Sequence, residues 1–441
     1  MTLWRNVSAV LLAVSLAGCS APADPPSGTA GLAGYGAADV ALMDTGPYAT
    51  TPTRPFGAVG ADLQGRAMLE AHRIAEYTVG PWQADMALTA MPGLMLTNLI
   101  SPYPNVEFLR SLEVLPPAVV DAVAKHRMVA GFSSLRLGGA ELPLPESLDA
   151  PVRPGLQTVV IAFPDPPAAV AAATDMADRD PGPSGGSNPQ RVEVPGHPDA
   201  RAVSYEVDGD STVVHSFTPV GTVVLVQFAQ APTDTFITTG RFSPRAISLV
   251  QSALNKQKSL IKDYTPTPAD KMADLPLDAS GWLLARTLTT PDNRMPRIVG
   301  AWKPRAWLHF EDDPINAAAL FADAGVDWVA QRAATVYQTR NADAAETMLE
   351  RFTAAMSAMP SVAATSATPG LPRARCFRRT EESPASSSGA APPGSPESWL
   401  RVGWPVKCAA ATERWVFTVY AETVSDAQQR ISAQYRILAG R

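Results

Sequence analysis

Residues 156–163 read LQTVVIAF, an apolar, β-branched run of strand length, and Asp165-Pro166 follows it at once. The run predicts a buried strand. The Asp-Pro pair predicts an N-cap and an N1 proline opening a helix with Val170, Ala173 and Met176 on one face. Working outward, a Pro/Gly/Ser loop is expected over 181–189, then a short strand over 202–207. A hairpin-like pair over 212–218 and 223–228 follows. Ser243-Pro244 repeats the cap-and-proline device before a helix with Ile247, Val250 and Leu254 aligned.

The same series recurs downstream. Residues 333–338 (AATVYQ) predict a strand, and Asn341 can cap a helix striped by Met348, Phe352 and Met356. A Ser/Pro/Ala loop precedes strands expected over 373–378, 400–406 and 415–420. The chain ends on Ser425-Asp426-Ala427-Gln428, a capping box by pattern, opening a helix with Ala427, Ile431, Tyr435 and Leu438 on one side. Upstream, 116–137 and 315–337 each read as an apolar helix running into a strand. The expected fold is therefore α+β: two similar domains from an internal duplication, each a mainly antiparallel sheet with helices on one face. The expected boundaries are 37–265 and 266–441, with a disordered insertion at 382–397 (ESPASSSGAAPPGSPE).

The N-terminus sets the address. Arg5 is the only charge before the apolar run of residues 7–17, which suits a signal peptide and falls short of the roughly 20 residues that span a bilayer. Leu16-Ala17-Gly18-Cys19 resembles the lipobox of bacterial lipoproteins. The resemblance implies a signal peptide over 1–18, diacylglycerol on the Cys19 sulfur, cleavage before it and acylation of the new N-terminus. Two or more acyl chains anchor stably, since each buried CH₂ contributes about 0.8 kcal/mol. Residues 19–36, rich in Ala, Pro, Ser and Gly, are expected to form a flexible tether. The expected partner is thus the membrane, through Cys19, on the outer face of the cell.

Composition agrees with a globular exported body. Hydrophobic residues make up 46% and charged residues 18%, enough for a sizeable core. The net charge of −6 becomes −7 once Arg5 leaves with the signal; this acidic balance argues against nucleic acid as a partner. Beyond Cys19 there are only Cys376 and Cys408, in a compartment where disulfides form readily, so these two are expected to pair.

Leu42-Met43-Asp44-Thr45-Gly46-Pro47-Tyr48 with Pro52 and Arg54-Pro55, and Leu69 to Tyr77 (LEAHRIAEY) running into Gly80-Pro81-Trp82, resemble a family of actinobacterial, mycobacterial-type exported lipoproteins of unknown function. The resemblance implies a two-part exported chain and no known activity. Val402-Gly403-Trp404 through Cys408 is more faintly similar to extracellular sensor domains of some actinobacterial membrane kinases, without their second cysteine pair.

Catalytic patterns are thin. Asp44-Thr45-Gly46 has no second copy to form a protease dyad and is read as a turn. His309 with Glu311, Asp312 and Asp313 offers too few donors for a metal, and the acids are read as helix N-terminal residues before Pro314. Ser133-Ser134 lacks the glycine spacing of a hydrolase elbow. Trp302 and Trp307, near Lys303 and Arg305, are read as packing. His72, Arg73 and Glu76 are read as a solvated helix face. No catalytic residue, metal site or cofactor is expected. The leading expectation is a non-enzymatic envelope protein that binds a protein or cell-wall component; alternatives are a lipid or glycolipid carrier, or a hydrolase with dispersed catalytic residues.

Overall fold

The computed structural model describes residues 37–91, 99–138, 153–233, 244–291, 298–380 and 404–440. The signal, the tether, Cys19 and the insertion at 382–397 lie outside them.

In the N-terminal half, α1 (Leu63–Glu76) and the single turn α2 (Pro81–Ala84) lead into β1 (Ser101–Tyr103), α3 (Val106–Ser111), α4 (Pro117–Lys125), β2 (Ala130–Leu137), β3 (Gly155–Ala162) and α5 (Pro166–Arg179). Four strands follow, β4 (Gly186–Val192), β5 (Arg201–Val207), β6 (Ser211–Val220) and β7 (Val223–Pro232), then α6 (Pro244–Leu260). The C-terminal half runs β8 (Gly300–Trp302), α7 (Pro304–Trp307), α8 (Pro314–Ala324), β9 (Trp328–Gln331), β10 (Ala334–Gln338) and α9 (Ala342–Ala358). It continues with β11 (Val362–Ala364), β12 (Arg375–Arg379), β13 (Val406–Thr412), β14 (Trp415–Ala421) and α10 (Val424–Ala439).

Each half forms a seven-stranded sheet. The first has the order β1-β2-β3-β7-β6-β5-β4 and the second β8-β9-β10-β14-β13-β12-β11. These are one connectivity written twice, with every neighbouring pair antiparallel. Beyond α1 and α2, which belong to the first half alone, the helices fall at matching points of both series, so the duplicated pattern read from the sequence is a duplicated topology.

Local chemistry repeats too. Asp165 accepts from the Ala168 amide at 2.8 Å and Asn341 from the Ala344 amide at 2.9 Å, each starting a helix three residues after its strand. A further shared device was not anticipated. Gln257 on α6 accepts from the Val79 amide at 2.7 Å and donates to the Tyr77 carbonyl at 2.6 Å. Gln434 on α10 accepts from the Leu288 amide at 2.7 Å and donates to the Arg286 carbonyl at 2.9 Å. Between the clamped residues, Thr78 and Thr287 each donate a side-chain bond to the carbonyl four residues back, both at 2.9 Å. Both glutamines are fully buried, where an amide must meet its partners or cost free energy.

Several expectations shift. The loop predicted over 181–189 contains the start of β4, an exposed edge strand whose pairing shifts register between Ser187 and Gln190. That irregularity accommodates Pro189, which has no amide to give to a ladder. Part of the predicted Ser/Pro/Ala loop is β11. Of the strand expected over 400–406, residues 400–403 lie outside the described residues; the described strand runs from Val406 to Thr412, its alanines 409–411 sealed between helix layers. The last helix starts earlier than the Ser425 box: Thr423 is the N-cap and accepts from the Asp426 amide.

Helices cover both faces of each sheet, where the sequence suggested one. Strand residues alternate between two cores. In the first sheet Val160, Leu225 and Ala229 face α1 and α6, while Ile161, Val224 and Val226 face α4 and α5. In the second, Val329, Ala409 and Val416 face α8 and α9, while Val336, Phe417 and Val419 face α10. The α1/α6 side of the first sheet and the α8/α9 side of the second share one continuous core. Each buried Val or Leu there contributes roughly 1.5–3 kcal/mol relative to exposure.

Candidate functional site

A cluster of buried ionisable groups gathers where the two halves meet. Arg136 stands on β2 with no exposed surface. Its Nη2 donates to the carbonyls of His309 at 2.8 Å and Glu311 at 2.7 Å, and its Nη1 to that of Thr89 at 3.3 Å. The Trp82 ring centroid lies 5.5 Å from the guanidinium. Burial pulls the Arg136 pKa down to about 10 against the opposing pull of Asp312, Glu311 and Asp313. It stays cationic at neutral pH. One β2 side chain thereby fastens the C-terminal half's 309–311 segment to the N-terminal sheet.

His309 is the neighbouring member. Its Nε2 faces the Ala75 carbonyl at 3.2 Å and its Nδ1 faces Ser134 Oγ at 2.8 Å. A carbonyl only accepts, so the proton sits on Nε2, and Nδ1 accepts from the Ser134 hydroxyl. A hydroxyl beside an imidazole is the beginning of a nucleophile and base. Here it goes no further. Both residues are shut off from solvent, and the other ring nitrogen meets a backbone carbonyl in place of a carboxylate. Burial, helped by the Arg136 charge, lowers the His309 pKa to about 3, far below what a general base needs near neutral pH.

Beyond it, Glu311 accepts from Trp307 Nε1 and from the Tyr337 hydroxyl, both at 2.7 Å. Burial raises its carboxyl pKa, with Lys407 opposing. Lys407 lies 3.9 Å from Asp312. Burial alone would lower its pKa; Tyr420, Asp312 and Glu311 outweigh that and hold it above the ordinary lysine value. The network reaches solvent at Asp312, which is 54% exposed.

The acids near His309 therefore divide. Asp313 stands at the helix N-terminus as expected, there as the N-cap accepting from the Asn316 amide at 3.1 Å, whereas Glu311 and Asp312 serve the seam. The reading of His72 and Glu76 as a solvated face is corrected. His72 is buried and stacks on Trp302 with ring centroids 3.8 Å apart, neither ring nitrogen partnered. Glu76 is half-buried and, like its neighbour on the helix, faces the other half. On the same helix Glu70 is buried, accepting from the Tyr264 hydroxyl, from Thr267 and from Arg73. Trp302 and Trp307 are buried packing, as expected.

The other histidines pair elsewhere: His126 with Asp175 at 2.8 Å, His197 with Asn255 at 2.9 Å and His215 with Asp180 at 2.7 Å. Asp44 forms the expected turn, accepting from the Gly46 amide, and also holds Gln429 of α10. Among the described residues no three His, Cys, Asp or Glu side chains converge as a metal site. A half-open cleft of about 390 Å³ lies between α8 and α9, lined by Asp323, Asp343, Arg340 and Arg351 among others. Asp323 and Arg351 pair across it at 2.7 Å.

Cys376 and Cys408 are direct cross-strand partners on β12 and β13, joined as a disulfide with Cα atoms 4.0 Å apart. Both are buried on the α10 side. No helix among the described residues is long and apolar enough to cross a membrane.

Sequence reasoning missed Arg136, Gln257 and Gln434. Their signal was available as polar residues in apolar register. Arg136 falls within the apolar-rich strand 130–137, and Gln257 and Gln434 stand three residues beyond Leu254 and Ile431 on their stripes.

The chain is similar to the solved extracellular domain of PknH from Mycobacterium tuberculosis over 34% of its own length and 73% of that domain. The identity is 14% and the TM-score 0.23, too low to support a conclusion. No curated protein matches. Residues 57–277 match the domain of unknown function DUF7373, N-terminal, and residues 283–441 its C-terminal counterpart. The two modules abut at the linker that joins the duplicated halves, and the chain belongs to the DUF7373 family.

Proposed function

We propose that this protein is an exported lipoprotein, held to the outer face of the cell membrane through Cys19, whose duplicated body has a binding or structural role in the envelope and performs no catalysis. The observation that carries the reading is the Cys376–Cys408 disulfide, placed in register on adjacent strands. Such a bond persists in an oxidising compartment, which agrees with the signal-like N-terminus and lipobox-like LAGC. The non-catalytic part rests on the seam. Its one hydroxyl–imidazole pair is sealed, and its charged groups are spent on joining the halves. The mixed charges lining the α8–α9 cleft favour a polar partner over an acyl chain.

The test is detergent phase partitioning of the native protein beside Cys19→Ser. The wild type is expected in the detergent phase with lipid on its N-terminal peptide by mass spectrometry, and the variant in the aqueous phase or unprocessed. An aqueous, unlipidated wild type would overturn the reading.

A further inference from the structure

The two halves pack front to back. The α1/α6 side of the first repeat receives the α8/α9 side of the second, so the face equivalent to that receiving surface, the α10 side of the second repeat, is left as the end of the stack. It is not bare. Residues 38–56, which precede the first repeat in the chain, cross to the second and lie over it.

The strap is held at each step. The Asp39 amide donates to the Gly370 carbonyl at 2.8 Å. Met43 is buried in the α10 core, and Asp44 accepts from Gln429 at 2.7 Å. The Tyr48 hydroxyl donates to Asp426 and accepts from Arg430 Nε at 3.1 Å. Thr53 donates to the Ala285 carbonyl at 2.9 Å, and Phe56 lies 5.5 Å beneath the Arg332 guanidinium.

These contacts mirror the seam. The paired glutamine clamps set Tyr77 against Arg286 and Val79 against Leu288, so the carbonyls of Ala75 and Glu76 correspond to those of Leu284 and Ala285. In the seam, His309 of the next repeat reaches the Ala75 carbonyl, and Arg136 at the end of β2 grips the same segment. At the stack's end, Thr53 reaches the adjacent carbonyl of the equivalent pair, and Arg332, one residue past β9 and at the register position of Ser134, covers Phe56. The strap therefore stands where a third repeat's 309–311 segment would stand.

We infer that residues 38–56 are an intramolecular cap that closes the open end of the repeat stack and keeps the chain monomeric. Repeat stacks need a polar terminal layer to stay soluble, because each receiving face is otherwise apolar. The α4/α5 end carries its own charged surface pairs, Arg110–Asp121 and Lys125–Asp175. The α10 end depends on the strap.

Gly370 provides the means of displacing it. Its φ is +71°, and a Cβ there would sit 2.3 Å from the Asp39 carbonyl oxygen and 2.9 Å from Met43. The full exported chain carrying Gly370→Ala, and separately Asp44→Ala with Tyr48→Ala, is compared with the wild type by hydrogen exchange and by light scattering over a concentration series. The expected result is a monomeric wild type with a protected strap. Both variants should exchange amides 38–56 at least tenfold faster and gain mass with concentration, and a synthetic 38–56 peptide added in trans should restore the monomer. If Gly370→Ala unfolds, the surface pair Asp44→Ala/Tyr48→Ala decides, since it leaves the sheet core intact. A freed strap with an unchanged monomer mass, self-association that the peptide does not reverse, a strap protected in both variants, or a wild-type strap exchanging like free peptide would each overturn the inference.

Discussion

Acid should loosen this protein through two histidines at the seam, and one substitution should remove half of the effect. His72 and His309 are buried and neutral, their pKa values lowered from 6.5 to about 3 chiefly by burial. In the unfolded chain both take a proton as pH falls through about 6.5. The folded state binds none until near pH 3, so their contribution is complete above pH 6.5 and is lost as pH falls below it. At pH 4.5 each is about 2 pH units into that window, a loss of roughly 2.7 kcal/mol per histidine and about 5 kcal/mol for both. That approaches the whole stability of a marginal domain, about 5–15 kcal/mol. His72→Phe isolates one of them. The ring keeps its stack on Trp302, and two unpartnered buried nitrogens disappear. The tight approach to Gly300 adds a packing cost independent of pH. Urea unfolding at pH steps from 6 to 4.5 reads the slope of stability against pH. The variant should lose about 1.2–1.4 kcal/mol per pH unit of the wild-type slope. Parallel wild-type and variant curves would refute the placement of His72 as a buried neutral group.

Three further outcomes follow from the geometry. Reducing the Cys376–Cys408 bond, which spans a sequence separation of 32, should cost roughly 3–4 kcal/mol, read as a lower denaturant midpoint with and without reductant. Arg136→Met strands the His309 and Glu311 carbonyls in the seam and should destabilise by about 3 kcal/mol, since each buried acceptor left unsatisfied costs roughly 1–3 kcal/mol, measured by urea titration; a change under 1 kcal/mol would mean the seam does not depend on it. Gln257→Leu and Gln434→Leu each remove one amide clamp and should cost about 2–3 kcal/mol apiece. Calorimetry showing very unequal losses would argue against the clamps being equivalent.

The periodicity of the chain was enough for the elements and their duplication. LQTVVIAF before Asp165-Pro166, and AATVYQ before Asn341, announce strand and capped helix from local rules alone, and both caps form as read. The cysteine pair was legible because only two candidates remained after Cys19. Where boundaries moved, long-range packing had overruled local preference. Alanines 409–411 are strand because helices cover both sides of them, and residues around Pro189 pair as an edge strand despite a loop-like composition.

By itself the sequence determined what depends on neighbours along the chain: strand and helix periods, N-caps and the repeated order of elements. Only the tertiary structure decided what depends on residues far apart. His72 and Glu70 look like the polar side of a helix, and they are buried because the other half and the 264–267 linker close over them. Arg136 meets carbonyls some 170 residues away, and the strap at 38–56 folds onto the last helix of the chain. A polar side chain reads the same in sequence whether water or a distant backbone carbonyl satisfies it. Which of the two it meets is fixed when the halves stack, by the cost of leaving a buried charge or amide unpaired.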